Sequence, residues 1–507
     1  MDWKHGYYAD SGYTFGYYSE TMPARLRYAA LIQGQQAPAD KFRYLDAGCG
    51  QGLNLILAAA CHPDSEFVGV DFLPEHIAHA TALARRCGLT NVTFVEGDFT
   101  ELVADPFRFG QFDYAVCHGI TTWIAPPVKQ ALFRWIGLAL KPGGLFYNSY
   151  NTFPGWLAAV PFQHLVLLEQ RSKTGELALK TARASMEALM KAAPAMFGAL
   201  PGLEARLKIM ETQDASYLVQ EYNNQYWQPV FVTEMIDAMA SVKLQYLGTA
   251  TLPEAFDSAL SVQVRELLAA QNDPVVREQL RDYALAQSFR RDLYVKGRSQ
   301  AWKREAEAQI RAIRLARNPL TARPEEGKPY SVKAGALEVN GAVAFYSGLL
   351  DLIESGKEGR SIGEIVDAQE SPQHKQAVGQ AVSMLLHGAW VTLLDPQRIG
   401  DASKKTNRAI VDAALQGAPY RYLAVPKAMS ALVIGDTEWA MLEAALRKIP
   451  VEQWTAIVRQ DLLRRGRSLA KDGQAVTDPA AQEAILARGV QEFAGKKFPW
   501  LRSLAAL

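Results

Sequence analysis

A short glycine-rich turn at residues 44–52 constrains the fold of this chain more than any other feature. It reads Tyr-Leu-Asp-Ala-Gly-Cys-Gly-Gln-Gly, and an apolar run follows from Leu53 to Ala60. Glycines let a backbone turn sharply and approach a ligand, and a helix start offers free N–H groups. The segment therefore predicts a strand, a ligand-binding turn and a helix, although turns of this kind also occur with no ligand.

The details of the turn separate two classes of ligand. A dinucleotide-binding loop has a third glycine where this chain has Leu53, because its pattern is G-x-G-x-x-G. Here the pattern is G-x-G-x-G, and Asp46 stands just before the first glycine. A carboxylate there repels a pyrophosphate but attracts the cationic amine and sulfonium of S-adenosylmethionine.

The next segments place further polar residues at strand ends. A second strand over 66–72 ends with Asp71, which lies 23 residues after Gly48. Cofactor-binding α/β folds place an acid about 20 residues on, where it binds ribose hydroxyls. A third strand over 91–96 runs into Asp98, a candidate acceptor for an adenine amino group, and a fourth over 112–117 delivers His118.

Strands that alternate with helical runs at this spacing predict a parallel, doubly wound sheet. Helices are expected over 53–60 and 75–87, and a fifth strand over 145–147. Ligands bind at the carboxyl ends of such strands. A single acid at such an end is usually a cap or turn residue, but several in order make a non-binding fold an unlikely interpretation.

Three further runs carry a resemblance to a known family. They are Tyr-Thr-Phe-Gly-Tyr-Tyr at 13–18, Cys-His-Gly-Ile-Thr-Thr-Trp-Ile at 117–124, and Tyr-Asn-Ser-Tyr-Asn-Thr-Phe-Pro-Gly-Trp at 147–156. With the glycine turn, they resemble bacterial class I S-adenosylmethionine-dependent methyltransferases that carry a methyltransferase regulatory domain. That family includes protein-lysine methyltransferases acting on surface proteins. The local match covers about residues 7–156, and a looser one covers about 225–300.

The resemblance implies S-adenosyl-L-methionine as cofactor and a protein acceptor, with lysine side chains as the methylated groups. The expected cofactor-binding residues are Tyr13, Asp46, Gly48, Gly50, Gly52, Asp71, Phe72, Asp98, Phe99 and His118. The expected catalytic residues are His118, Tyr17, Tyr150, Asn151 and Trp123. His118 is interpreted as a base or an orienting group, and a structural histidine remains the alternative. The aromatics, with Tyr18 and Trp156, are either walls around the acceptor or packing residues.

The implied fold is a Rossmann-like seven-stranded α/β sheet with helical insertions, followed by mostly α-helical C-terminal domains. Five segments are predicted: a cofactor-binding core at 1–156, a helical insertion at 157–225, and a regulatory segment at 226–318 that completes the sheet. A winged-helix-like domain at 330–400 and a helical domain at 401–507 follow. The insertion is a candidate homodimer face, with packing inside the chain as the alternative.

Composition narrows the functional classes. The 507-residue chain has a formal net charge of +1, so no strong field attracts nucleic acid. No apolar run approaches about 20 residues, which argues against a membrane span. The four cysteines form no C-x-x-C pair, so no metal site is expected, and a reducing cytoplasm is the expected location. Cys117 is interpreted as a packing residue, with a methyl-transfer nucleophile as the weaker alternative.

Two rival functions remain open. One is a small-molecule methyltransferase of a biosynthetic pathway, and the other is a non-catalytic interaction protein that retains the fold. The [D/N]-P-P-[Y/F] motif of amino-methyltransferases acting on adenine or glutamine is absent after the fourth strand, where Cys-His-Gly-Ile stands. Base amines and side-chain amides are therefore disfavoured as acceptors.

Overall fold

The computed structural model describes residues 5–8, 14–193, 195–213, 215–297, 303–471 and 474–507. A seven-stranded mixed sheet lies in the N-terminal part, with strand order β3-β2-β1-β4-β5-β7-β6. Its strands are β1 (Arg43–Ala47), β2 (Glu66–Asp71), β3 (Val92–Glu96), β4 (Phe112–His118), β5 (Leu140–Asn151), β6 (Leu244–Thr249) and β7 (Phe289–Lys296). The predicted seven-stranded Rossmann-like fold is confirmed.

The first five strands run parallel, so their carboxyl ends meet at one edge of the sheet. In the register of β1, Asp46 lies beside Gly69 of β2 and Val116 of β4. Asp71 and His118 end those two neighbouring strands. The expectation that these polar residues come together at one edge is therefore met.

Two strands differ from their predicted form. β5 begins at Leu140 instead of residue 145, and its pairing with β4 shifts register after Phe112. β7 runs antiparallel to both β5 and β6, so the completed sheet is mixed and not wholly parallel. The two last strands come from the segment after the helical insertion, far along the chain.

Helices cover both faces of this sheet. They are α1 (Pro23–Ile32), α2 (Leu53–Cys61), α3 (Pro74–Cys87), α4 (Phe99–Leu102), α5 (Pro126–Ala139), and, after the insertion, α11 (Val232–Ser241), α12 (Val262–Ala269) and α13 (Pro274–Ala284). All nine residues of α2 are buried, as a helix that is apolar on every side requires. Leu55 and Ala58 pack with strand residues, whereas Ile56 and Leu57 pack with the C-terminal part of the chain.

The insertion forms a helical cluster with an apolar core of its own. Its helices are α6 (Val160–Glu169), α7 (Gly175–Ala192), α8 (Ala195–Ala199), α9 (Pro201–Met210) and α10 (Ala215–Tyr222). Phe162, Val166 and Tyr222 are buried there, together with Trp123 and Trp156 from the sheet edge. The cluster therefore packs directly against the side of the sheet where the polar strand ends lie.

The middle of the chain combines helices with short strands, and the winged-helix-like domain expected over 330–400 stays a prediction. After α14 (Lys303–Ala312) come β8 (Arg314–Arg317), β9 (Tyr330–Ala334), β10 (Leu337–Gly341), α15 (Val343–Glu354), β11 (Arg360–Ser361), α16 (Ile362–Asp367), α17 (Pro372–His387) and β12 (Val391–Leu394). Ser361 and Glu364 form a capping box at the start of α16. The strands β11, β8 and β12 form a small antiparallel sheet.

The C-terminal region, residues 401–507, is mostly helical as predicted, with short strands between its helices. It contains α18 (Asp401–Leu415), β13 (Tyr422–Val425), β14 (Ser430–Val433), α19 (Glu438–Leu446), α20 (Trp454–Arg464), β15 (Ala470–Lys471), β16 (Gln474–Ala475), α21 (Pro479–Glu492), a π-helical turn (Phe493–Lys497) and α22 (Phe498–Ser503). Short strands pair as β13–β14 and β15–β16. Within the described ranges, no helix is long and apolar enough to cross a bilayer.

Candidate functional site

The glycine turn after β1 requires glycine for both backbone and steric reasons. Gly48, Gly50 and Gly52 have φ values of 89°, 53° and 77°, in the left-handed region that glycine favours. A Cβ on Gly48 would lie 2.7 Å from the Ile120 side chain, and one on Gly52 would lie 2.5 Å from the Ala80 Cβ. The turn is therefore held tightly between β4 and α3.

Asp71 braces this turn from the end of β2. One carboxylate oxygen accepts a hydrogen bond from the Gly50 N–H at 2.8 Å, and the other accepts from the Leu73 N–H at 3.0 Å. His76 Nδ1 lies 3.1 Å from the second oxygen. The side chain is only 7% exposed, yet it lines both cavities described next. The predicted ribose contact of Asp71 stays a prediction.

Two adjoining cavities form one pocket along this edge of the sheet. They share Tyr7, Gly48, Asp71, His76 and Ile120. A larger cleft of about 1090 Å³ lies near the other end of the strands, and none of the predicted site residues lines it. Since ligands of such folds bind at the carboxyl ends of strands, the smaller pocket is the candidate site.

Asp46 is a second buried acid of the pocket, close to Asp71. It lines the cavity, is 6% exposed, and has its pKa raised to about 7 by burial and by the nearby Asp71 carboxylate. Neither influence is offset by a cation among the residues that the structure describes. A positively charged ligand beside Asp46 would supply the missing countercharge, so the residues present fit a cationic amine or sulfonium.

The second cavity is mostly apolar. Its lining includes Phe72, Phe99, Ile124 and Val128, as a flat aromatic ligand requires. Asp98 lies at its rim, where it caps α4 by accepting from the Thr100 N–H at 2.7 Å.

The Asp98 carboxylate is already well bonded. Its other oxygen lies 2.7 Å from His5 Nε2. Burial opposes ionisation of Asp98, but the hydrogen bonds from Thr100 and His5 outweigh it and lower the pKa. Asp98 is therefore both a helix cap and a pocket residue, and its contact with adenine stays a prediction.

His118 lies at the opposite end of the pocket. Its Nδ1 is 3.0 Å from both the Tyr147 hydroxyl and the Ser149 Oγ, and its ring packs on that of Tyr18 with centroids 3.9 Å apart. Burial, and then the Arg291 guanidinium, lower the pKa of His118 to about 3. The imidazole is therefore neutral at physiological pH. A general base works best with a pKa near the working pH, so the structure favours the orienting role over the base.

Three predicted catalytic residues do not line the pocket. Tyr150 is fully buried and its hydroxyl donates to Asp292 at 2.5 Å, on the other side of the sheet from His118. Asn151 donates instead to Glu221 of the helical insertion at 2.8 Å. The third is Tyr17, whose hydroxyl lies 2.5 Å from the Oγ of a serine at position 430 in the C-terminal region.

The remaining aromatic candidates divide between the two interpretations. Trp123 lines the pocket, as predicted, and so does Tyr18. Trp156 packs in the core of the insertion, with the Arg206 guanidinium 3.8 Å from its ring centroid. Tyr13 lies outside the described residues. Of the aromatic set, the structure therefore brings Trp123 and Tyr18 to the pocket.

Several residues of the pocket were not predicted from the sequence. Tyr7 covers both cavities, with its ring against that of Phe72 at 5.5 Å. His76 and Ile120 line the pocket as well. The signal for His76 was its place five residues after Asp71, one turn into the following helix. The described residues contain no group of acidic, histidine and cysteine side chains able to hold a metal ion.

Comparison with known proteins agrees with this geometry. Residues 38–223 match a family described as "Methyltransferase domain", and residues 214–296 match "Predicted methyltransferase regulatory domain". The chain carries a methyltransferase domain followed by a methyltransferase regulatory domain. The regulatory domain supplies β6 and β7 and so completes the sheet. By its domains the chain is an S-adenosylmethionine-dependent methyltransferase, and Asp46 with the glycine turn fits that cofactor.

Similar proteins extend the likeness over the whole methyltransferase. "Uncharacterized protein sll1526" of Synechocystis sp. is 29% identical and spans 99% of each chain. "Uncharacterized protein RP789" of Rickettsia prowazekii is 28% identical over 57% of this chain and 52% of its own length. The solved structure of PKMT2 from Rickettsia typhi in complex with AdoHcy has a TM-score of 0.71 and 20% identity, covering 97% of this chain and 99% of the other. At that identity the likeness establishes the fold.

Proposed function

We propose that this methyltransferase modifies lysine side chains of a protein acceptor. The observation that carries the proposal is the likeness to PKMT2 from Rickettsia typhi, whose name denotes a protein lysine methyltransferase. Because 97% of this chain is covered, that likeness includes the helical insertion, the middle of the chain (303–400) and the C-terminal region. Large regions in addition to the catalytic sheet are suited to an enzyme that binds a polypeptide substrate.

Methyl transfer to lysine requires little acid–base catalysis by the protein. S-adenosylmethionine supplies an electrophilic methyl group on a sulfonium. A lysine with pKa 10.4 is neutral in about 1 molecule in 2500 at pH 7, which costs about 4.6 kcal/mol. Burial of the ammonium in the pocket lowers that pKa because a low-dielectric site disfavours the charged form. The residues of the pocket then need to align the neutral amine and exclude water.

Three pocket residues support this role. Tyr18 and Trp123 present aromatic surface beside His118, at the end of the pocket that holds Asp46. Aromatic faces attract an ammonium and tolerate a neutral amine. The neutral His118 ring, fixed through Nδ1 by its two hydroxyl neighbours, is a positioned hydrogen-bonding group for the acceptor.

The helical insertion supports a second element of the proposal, a homodimer. Its surface carries several large exposed apolar side chains, and such side chains mark an interaction surface where they form a contiguous patch. These are Leu157, Val160, Leu168, Leu177, Leu189 and Ile209. Light scattering of the purified chain tests the dimer, which a monomer mass would contradict.

The test of the acceptor is transfer of label. Purified methyltransferase is incubated with S-adenosylmethionine carrying a labelled methyl group and with a bacterial lysate. Label on protein, recovered as methyllysine after acid hydrolysis and located by mass spectrometry, is the expected result. Label in small molecules alone would reject the lysine acceptor and favour a small-molecule methyltransferase. The Asp71→Ala variant, defective in the pocket, is the matched control and is expected to transfer no label.

A further inference from the structure

The pocket has a cover that comes from the N-terminal segment. Residues 14–18 form this cover beside the glycine turn, and Thr14, Phe15, Gly16 and Tyr18 line the pocket. Tyr17 does not line the pocket, and its hydroxyl contacts the C-terminal region instead.

Tyr17 is anchored firmly on β14. Its hydroxyl accepts a hydrogen bond from the Ala431 N–H at 3.0 Å and lies 2.5 Å from the Ser430 Oγ. Its ring packs against Tyr422 with centroids 5.2 Å apart. These partners lie more than 400 residues away in sequence, so the cover is held by a different part of the chain from the sheet that it covers.

The contacts of Tyr17 fix Tyr18 at the end of the pocket that contains His118. The Tyr18 N–H donates to Asn54 Oδ1 at 3.0 Å, and the Tyr18 ring packs on His118. The Tyr18 hydroxyl folds back over Gly16, so closely that a Cβ there would lie 2.5 Å from the hydroxyl oxygen. The position of Tyr18 therefore depends on where the backbone of Tyr17 is held.

A second connection reaches the glycine turn itself. His79 Nδ1 lies 2.8 Å from the Gln51 carbonyl, and its Nε2 lies 2.7 Å from the Tyr420 hydroxyl. A carbonyl only accepts, so Nδ1 carries the proton and donates to it. Burial lowers the pKa of His79, which keeps Nε2 free to accept from Tyr420. The Phe15 ring packs edge-on against both His79 and Tyr420, at 5.0 and 5.6 Å.

From these two connections, we propose that the C-terminal region positions the cofactor pocket, with Tyr17 and Tyr420 as the positioning residues. Tyr17 holds the cover closed, and Tyr420 holds the glycine turn through His79. Release of the two contacts lets the cover open and the turn relax, which weakens cofactor binding without removing any group that touches the cofactor. The inference depends on the proposed cofactor site but not on the identity of the acceptor.

The test combines a binding constant with a local measure of opening. Affinity for S-adenosylhomocysteine is measured by calorimetry on the full chain, and amide hydrogen exchange is followed over 14–22 and 48–53. Tyr17→Phe keeps the ring and removes the two hydroxyl contacts, and is expected to weaken binding by up to roughly fivefold. Tyr17→Ala and the double variant Tyr17→Phe, Tyr420→Phe are expected to weaken it further and to speed exchange in both segments.

A control separates positioning from general loss of stability. Trp454 lies in the same C-terminal region, where its Nε1–H donates to the Ile449 carbonyl at 2.9 Å, away from the cover. Trp454→Phe is expected to lower the melting temperature while affinity and exchange at the pocket stay as in the wild type. Unchanged affinity in Tyr17→Ala beside a wild type that binds would overturn the positioning role alone. A wild type with no affinity for S-adenosylhomocysteine would overturn the cofactor site as well.

Discussion

The buried carboxylate of Asp46 yields a prediction with two opposite consequences. Its pKa is raised from the ordinary 3.8 to about 7 in the folded chain. Well below pH 3.8 the group is protonated in both the folded and the unfolded states, and it does not change the free energy of unfolding. As the pH rises from 4 to 7 the unfolded chain loses the proton first, so the free energy of unfolding falls. Above pH 7 the full cost of the buried charge remains, about 4 kcal/mol as an upper figure.

Asp46→Asn removes that cost, because an amide does not ionise. The variant without ligand is therefore expected to be more stable than the wild type at pH 8, by up to about 4 kcal/mol, and to lose this advantage at pH 4. The same change is expected to weaken S-adenosylmethionine binding roughly tenfold or more, since a hydrogen bond to a charged partner contributes about 1.5–3 kcal/mol.

The assay is thermal and urea unfolding of the wild type and the variant between pH 4 and 8, with cofactor affinity measured by calorimetry at pH 8. Asp98→Asn is the control at the same pocket, because the pKa of Asp98 is lowered and its stabilisation is present above pH 4. That variant is expected to be less stable than the wild type at pH 8. A stability difference for Asp46→Asn that does not change with pH would refute the reasoning.

Three further outcomes are expected. Gly52→Ala should lower both the melting temperature and the cofactor affinity, because the new Cβ would lie 2.5 Å from the Ala80 Cβ. Gly143→Ala, which has open space around the new Cβ, should leave the affinity unchanged. Differential scanning fluorimetry measures the melting temperature, and calorimetry measures the affinity. The pKa of His118 is lowered to about 3, so His118 should not contribute an ionisation near pH 6.5 to the pH profile of kcat/KM. An ionisation near pH 6.5 that is present in the wild type and lost in His118→Gln would contradict the neutral state of the ring. Tyr150→Phe should destabilise the fold by about 1–3 kcal/mol, by leaving the buried Asp292 short of a donor, and should leave cofactor affinity within about twofold; a selective loss of affinity would restore Tyr150 to the site.

The sequence predicted the sheet and the chemistry of its edge because both depend on local signals. The glycine turn, Asp46, Asp71 and His118 each follow directly from a strand of clear pattern, and parallel strands bring their ends together. The antiparallel course of β7 left no such signal, because its pairing partners lie far away along the chain.

The direction of individual side chains was the part that the sequence could not supply. Tyr147 and Tyr150 both lie on β5, but side chains alternate between the faces of a strand, so Tyr147 meets His118 while Tyr150 lies on the opposite face. Tyr18 likewise lines the pocket, whereas the neighbouring Tyr17 contacts the C-terminal region. An aromatic motif in the sequence shows which residues lie near a site. Which of their side chains face the pocket is decided by packing against segments that are distant in the sequence.

The most direct test of the account is a crystal structure of the full chain with S-adenosylhomocysteine bound. We expect the amino group of the ligand to lie beside Asp46 and its sugar hydroxyls to contact Asp71. We expect its adenine to lie in the apolar cavity with Phe72 and Phe99. A ligand seated in the larger cleft near the amino ends of the strands, or anywhere remote from the glycine turn, would contradict it.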